Sequence, residues 1–126
     1  MLAAAAPSAR RERLPMNFLN WWTNRRSVRG AALSLYKRGM QRASKHDRQG
    51  ATDDYTAVVL MRDAPTDVVA MVLYNRALLY AAVGDAAKAT EDLAAVLATT
   101  APLRRIKLAA RQKLDRIQHG HHPETV

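Results

Sequence analysis

Residues 70–101 read AMVLYNRALLYAAVGDAAKATEDLAAVLATTA, and residues 32–63 read ALSLYKRGMQRASKHDRQGATDDYTAVVLMRD. Laid over one another with a shift of 38 and no gap, eleven of the 32 pairs are identical. They are Ala32/Ala70, Leu35/Leu73, Tyr36/Tyr74, Arg38/Arg76, Ala43/Ala81, Asp47/Asp85, Ala51/Ala89, Thr52/Thr90, Asp54/Asp92, Ala57/Ala95 and Val58/Val96. Self-similarity at such a period signals stacked supersecondary units, because one unit cannot bury its apolar face alone.

Each unit reads as two helices. Ala32, Leu35, Tyr36, Gly39, Met40 and Ala43 fall at i, i+3, i+4, i+7, i+8 and i+11, as do Ala70, Leu73, Tyr74, Ala77, Leu78 and Ala81. That spacing is one face of an α-helix. A break follows at His46–Asp47 and at Gly84–Asp85. Gly ends a helix, and Asp caps the next by accepting backbone N–H bonds. Ala51, Tyr55, Val58 and Val59 form the apolar stripe of one second helix, and Ala89, Leu93, Val96 and Leu97 that of the other. Pro65 and Pro102 punctuate the chain, and each is placed to open a helix from its first turn. A fifth helix runs from about 102 to 118, with Leu103, Ile106, Ala110, Leu114 and Ile117 inward and Arg104, Arg105, Lys107, Arg111 and Lys113 on its other faces. Gly39, Ala51, Ala77 and Ala89 are the small positions where paired helices approach. An added methylene at Ala51 or Ala89 should cost about 1–3 kcal/mol by overpacking.

This pattern resembles the tetratricopeptide repeat family. The family places a small residue eighth in the first helix and an aromatic eleventh, then a Gly-Asp-like turn. A small Ala in the second helix, a bulky residue four later and a Pro near the end complete it. The second unit matches at Ala77, Tyr80, Gly84-Asp85, Ala89, Leu93 and Pro102, and the first at Gly39, Ala51, Tyr55 and Pro65. Arg42 stands where an aromatic is usual and His46 where Gly is usual. The period departs too: the family repeats at 34 residues, and the four extra fit as one added turn near 67–83. Longer-period HEAT-like repeats are the alternative, and the small positions argue against them. The resemblance covers residues 31–102. It implies an all-α fold, an α-α superhelix of tetratricopeptide-like hairpins, with an N-terminal aromatic segment and a C-terminal capping helix.

The expected organisation is a tail or misassigned extension over 1–15, with Met16 as the start, and a basic, aromatic segment over 16–30. Repeats follow over 31–65 and 66–101, then a capping helix over 102–119 and a tail over 120–126. Two repeats are few, since about three are usually needed. The Trp cluster and the last helix can supply the missing packing, and a homodimer is another way to cover the ends.

The first helices of such stacks line a concave surface. In the family, that surface grips an extended peptide or a partner helix. The resemblance implies a groove of Leu33, Tyr36, Lys37, Met40 and Ser44, continued by Met71, Tyr74, Asn75, Leu78 and Ala82. Met and Tyr suit adaptable recognition. Equally, Tyr36 and Tyr74 can be inter-helix packing. A carboxylate clamp is rejected, because Tyr36 and Met40 occupy the places of its Lys and Asn.

The chain carries a net charge of +9 over 126 residues. Residues 1–48 hold eleven Lys/Arg against Glu12 and Asp47, and residues 49–126 balance nine against nine. Trp21 and Trp22 sit beside Arg25, Arg26 and Arg29, a cluster that suits either capping of the stack or an anionic surface. Cysteine is absent, which excludes disulfides and thiolate chemistry. No apolar run is long enough to span a membrane. His119, His121 and His122 read as a tail before they read as metal ligands. Asp53–Asp54 and Glu91–Asp92 read as solvated faces or ion pairs, since they recur at the repeat. No phosphate loop or nucleophile motif occurs. The expectation is therefore a non-enzymatic, cofactor-free and metal-free adaptor or scaffold in the cytoplasm, binding a protein partner. The alternative is a membrane-peripheral or nucleic-acid-associated adaptor working through residues 16–30. Among these partners nucleic acid is the least favoured.

Overall fold

The computed structural model describes residues 27–101 and 103–119. Among them five helices follow in order: α1 over 27–44, α2 Arg48–Leu60, α3 Thr66–Ala82, α4 Ala86–Ala98 and α5 Arg104–His119. Among the described residues there is no strand, so the fold is all-α. The expectations for residues 1–15, Met16, Trp21, Trp22, Arg25, Arg26, Pro102 and residues 120–126 lie outside the described residues. The added turn falls on the first helices: α3 has 17 residues, against 13 in α2 and in α4.

The two tight turns are copies of one another. Helix α1 ends in a Schellman arrangement, with Asp47 N–H donating to the Arg42 carbonyl and His46 N–H to that of Ala43. Helix α3 ends the same way, with Asp85 N–H donating to Tyr80 and Gly84 N–H to Ala81. That geometry needs one left-handed residue. It is Gly84, at φ 85°, in one turn and His46, at φ 66°, in the other. The Asp47 carboxylate then accepts from Gly50 N–H at 2.9 Å, and that of Asp85 from Lys88 N–H at 3.1 Å. Each Asp thus both closes one helix and caps the next.

Pro65 departs from its expected place. It is the N-cap of α3, extended at φ −61° and ψ 139°, and Thr66 takes the first helical position. Its carbonyl accepts the bond from Val69 N–H, so the ring directs the chain into the helix from outside.

Two apolar clusters hold the helices together. The first joins Ala32 of α1, Ala51, Tyr55 and Val58 of α2, and Val68 and Val72 of α3. The second joins Leu73 and Ala77 of α3, Ala89, Leu93 and Val96 of α4, and Ala110 of α5. Val59 and Val69 pack against both, so α2 and α3 make the core continuous. Ala51, Ala77 and Ala89 are wholly buried. Gly39 is buried for a visible reason: a Cβ there would stand 2.5 Å from Cε1 of Tyr55. Helix α5 covers the second cluster with Ile106, Ala110, Leu114 and Ile117, four of the five residues of the expected stripe; the fifth, Leu103, lies one residue before the helix, which begins at Arg104.

Candidate partner-binding face

Helices α1 and α3 lie side by side, with contacts at equivalent or nearly equivalent positions. Arg29 donates through both terminal nitrogens to Asp67, at 3.1 and 2.8 Å, across a separation of 38 residues. One helical stretch further on, Asn75 Nδ2 lies 3.4 Å from the Tyr36 hydroxyl and donates to the Met71 carbonyl at 2.9 Å. A repeat length that reappears as a contact between parallel helices is what stacked hairpins require.

This adjacency brings the ten groove candidates together on neighbouring helices. Lys37, Met40, Ser44 and Ala82 are exposed, and Leu33, Tyr36, Met71, Tyr74, Asn75 and Leu78 are half-buried. Leu33, Tyr36 and Met71 rest on the first cluster and Tyr74 on the second. The Tyr36 ring meets that of Tyr55 with centroids 6.3 Å apart. Tyr36 therefore packs with its body and presents its polar edge. Ser44 donates to the Gln41 carbonyl, which ties it to its own helix.

Beneath this face, each hairpin is clamped by an ion pair from its first helix to its second. Arg38 donates to both oxygens of Asp54 at 3.0 and 2.8 Å, and Arg76 to both of Asp92 at 2.8 Å. The acids of the pair Asp53–Asp54, and of Glu91–Asp92, thus divide their roles. Asp54 and Asp92 are buried, and Asp53 and Glu91 face solvent. The surroundings of the two clamps differ. Arg42 brings a second guanidinium to Asp54 at 3.2 Å. In the equivalent place Tyr80 lays its ring 5.5 Å from the Arg76 guanidinium, leaving that side chain 15% exposed against 55% for Arg38. Arg76 also reaches the Thr56 hydroxyl at 3.0 Å and so joins the second hairpin to the first.

Electrostatics follow this geometry. The Arg38 hydrogen bonds hold the Asp54 carboxyl below its ordinary value, against the opposing effect of burial. Arg29 does the same to Asp67. Burial pushes the Tyr55 hydroxyl up to about 12. Arg29, assigned from sequence to an anionic surface, is half-exposed and pairs with Asp67. Among the described residues no group of three or more His, Cys, Asp or Glu converges as metal ligands would, and no helix is long and apolar enough to cross a membrane.

Sequence reasoning did not assign the Arg–Asp clamps, yet their signal was available. Both partners are identical across the repeat, and both pairs are 16 residues apart. No family model, no curated protein and no solved structure matches the chain.

Proposed function

We propose that this chain is a non-enzymatic interaction module of tetratricopeptide-like type, binding a peptide or helix of a partner protein on the face of α1 and α3. One observation carries the reading: α1 and α3 touch at one repeat length, Arg29–Asp67 at a separation of 38 residues, and again at Tyr36–Asn75, at 39. Corresponding stretches of the two units are thereby neighbours in space. A row of Lys37, Met40, Asn75 and Leu78 offers one ammonium, two flexible apolar chains and an amide. Such a mixture can engage both side chains and backbone of an extended segment. The ion-pair clamps contribute indirectly, since they fix the hairpins on which the face stands.

Site-specific photocrosslinking tests the reading. A photoreactive residue replaces Lys37 or Met40 on the proposed face, or Asp53 or Glu91 on the second helices. In cells of the source organism, Lys37 and Met40 should capture one discrete polypeptide that Asp53 and Glu91 do not. Capture from the second helices alone would overturn the assignment.

A further inference from the structure

Helix α5 holds six Lys/Arg against the single acid Asp115. Among the described residues none of the six makes an ion pair with a carboxylate. Of the nine described Lys/Arg outside α5, Arg29, Arg38, Arg42, Arg76 and Lys88 are paired, and the four others, Lys37, Lys45, Arg48 and Arg62, are spread along the chain where α5 gathers six on one helix. The neutrality of residues 49–126 conceals this: residues 49–103 hold three Lys/Arg against seven acids, and α5 carries the compensating excess. Arginines held on a folded helix without carboxylate partners are a ready surface for a polyanion.

Their arrangement narrows the class. The inward side of α5 is Ile106, Ala110, Leu114 and Ile117. Opposite it, by helical spacing, stands a ridge of Leu108, Gln112 and Asp115, all exposed. Arg104, Lys107 and Arg111 run along one flank of the ridge, and Arg105, Lys113 and Arg116 along the other. The four arginines are exposed, and the two lysines are half-buried. A flat anionic surface, such as a lipid headgroup layer, would meet the ridge first, with its acid and its one leucine. It would also find little apolar area to bury, because the apolar side of α5 is already used. A groove walled by phosphates on both sides would take in the ridge and place each flank against one wall. The B-form major groove is about 12 Å wide and admits a helix, whereas the A-form major groove is too narrow.

We propose that α5 binds double-stranded DNA, its ridge in the major groove and its two cationic flanks on the phosphates that border it. This surface is separate from the α1–α3 face and does not depend on that reading. It also revises the low rank that sequence gave nucleic acid, which rested on the N-terminal segment.

Fluorescence anisotropy of the full chain with a short labelled duplex tests it. Binding should weaken steeply between about 50 and 200 mM salt. Arg104→Gln with Arg111→Gln removes the two arginines of one flank, leaving Lys107, and Arg105→Gln with Arg116→Gln those of the other, leaving Lys113. Each pair should lower affinity by roughly tenfold or more and reduce the salt slope by about 0.9 for each phosphate that is no longer neutralised. Glutamine keeps the helix propensity close to that of arginine, and the α-helical circular dichroism should be unchanged. Changing Arg10, Arg11, Arg13, Arg25 and Arg26 to Gln should cost less than either pair. Four results would each overturn the proposal. They are unchanged binding in either flank variant, loss only in the N-terminal variant, absence of binding to the duplex, and equal or tighter binding to double-stranded RNA, single-stranded DNA, anionic vesicles or polyglutamate.

Discussion

Gly39 and Ala77 hold equivalent places in the two hairpins, and their neighbours explain why they differ. Gly39 faces the buried Tyr55 ring, and Ala77 shares a cluster with the smaller Leu93. Gly39→Ala gains about 1 kcal/mol of helix propensity but drives a Cβ into a ring that is 1% exposed and cannot step aside. We expect a net loss of about 1 kcal/mol in urea unfolding, since overpacking costs roughly 1–3 kcal/mol. Adding Tyr55→Leu, which copies the second hairpin, should make the double variant more stable than the two single losses combined would allow, by about 0.5–3 kcal/mol. The left-handed turn residues give a second test. His46→Gly should stabilise and Gly84→Ala destabilise, each by about 1–2 kcal/mol, because only glycine adopts that conformation without strain. Tyr55 gives a third. Its hydroxyl is pushed up to about 12 by burial, above the unfolded value of about 10. The stability it contributes is therefore complete below about pH 10 and is lost as pH rises through about 12. In an absorbance titration, Tyr55→Phe should remove a late-ionising hydroxyl.

At the scale of the helix pair, the two clamps share a geometry and differ in burial. Asp92→Asn should cost about 1.5–3 kcal/mol, the range for hydrogen bonds to a charged group. Arg76 would be left largely covered, with Tyr80 and Thr56 for company. Arg38→Gln should cost less than Arg76→Gln in the same urea assay, since the Arg38 guanidinium is mostly in water and water screens exposed pairs. Acid is the second probe. The Asp54 carboxyl is held below its unfolded value of about 3.9. Its stabilisation is full above that pH and falls away as pH drops through the lower folded value. Asp54→Asn should therefore flatten the acid limb of the stability curve. Much of this level was legible in the sequence. The period-3.6 stripes, the Asp caps and the small residues each point to one local geometry; the caps and small residues stand where expected, whereas Met40 of the α1 stripe is exposed and Leu103 precedes α5. The clamps were harder to read, because an Arg and an Asp 16 residues apart become partners only once the hairpin closes. Pro65 stands one position outside its helix because proline fits the extended entry as well as the first turn.

Across the whole molecule, charge and register decide what the surface offers. Averaged over residues 49–126, charge vanishes; resolved along the chain, it separates into an acidic stretch over 49–103 and a cationic α5. Net charge was readable at once, but its effect depends on which arginines find carboxylates, and only the packed chain decides that. The groove candidates show the same limit. Their positions on each helix followed from spacing, whereas the division into exposed Lys37 and Met40 and half-buried Tyr36 and Tyr74 follows from how α1 leans on α3. That leaning is the foundation of the proposed face, and nuclear Overhauser contacts in the full chain test it directly. Cross-peaks should connect the Tyr36 ring with the Asn75 side-chain amide. Cross-peaks tying the Tyr36 ring to α4, with none to Asn75, would contradict the parallel placement of the first helices.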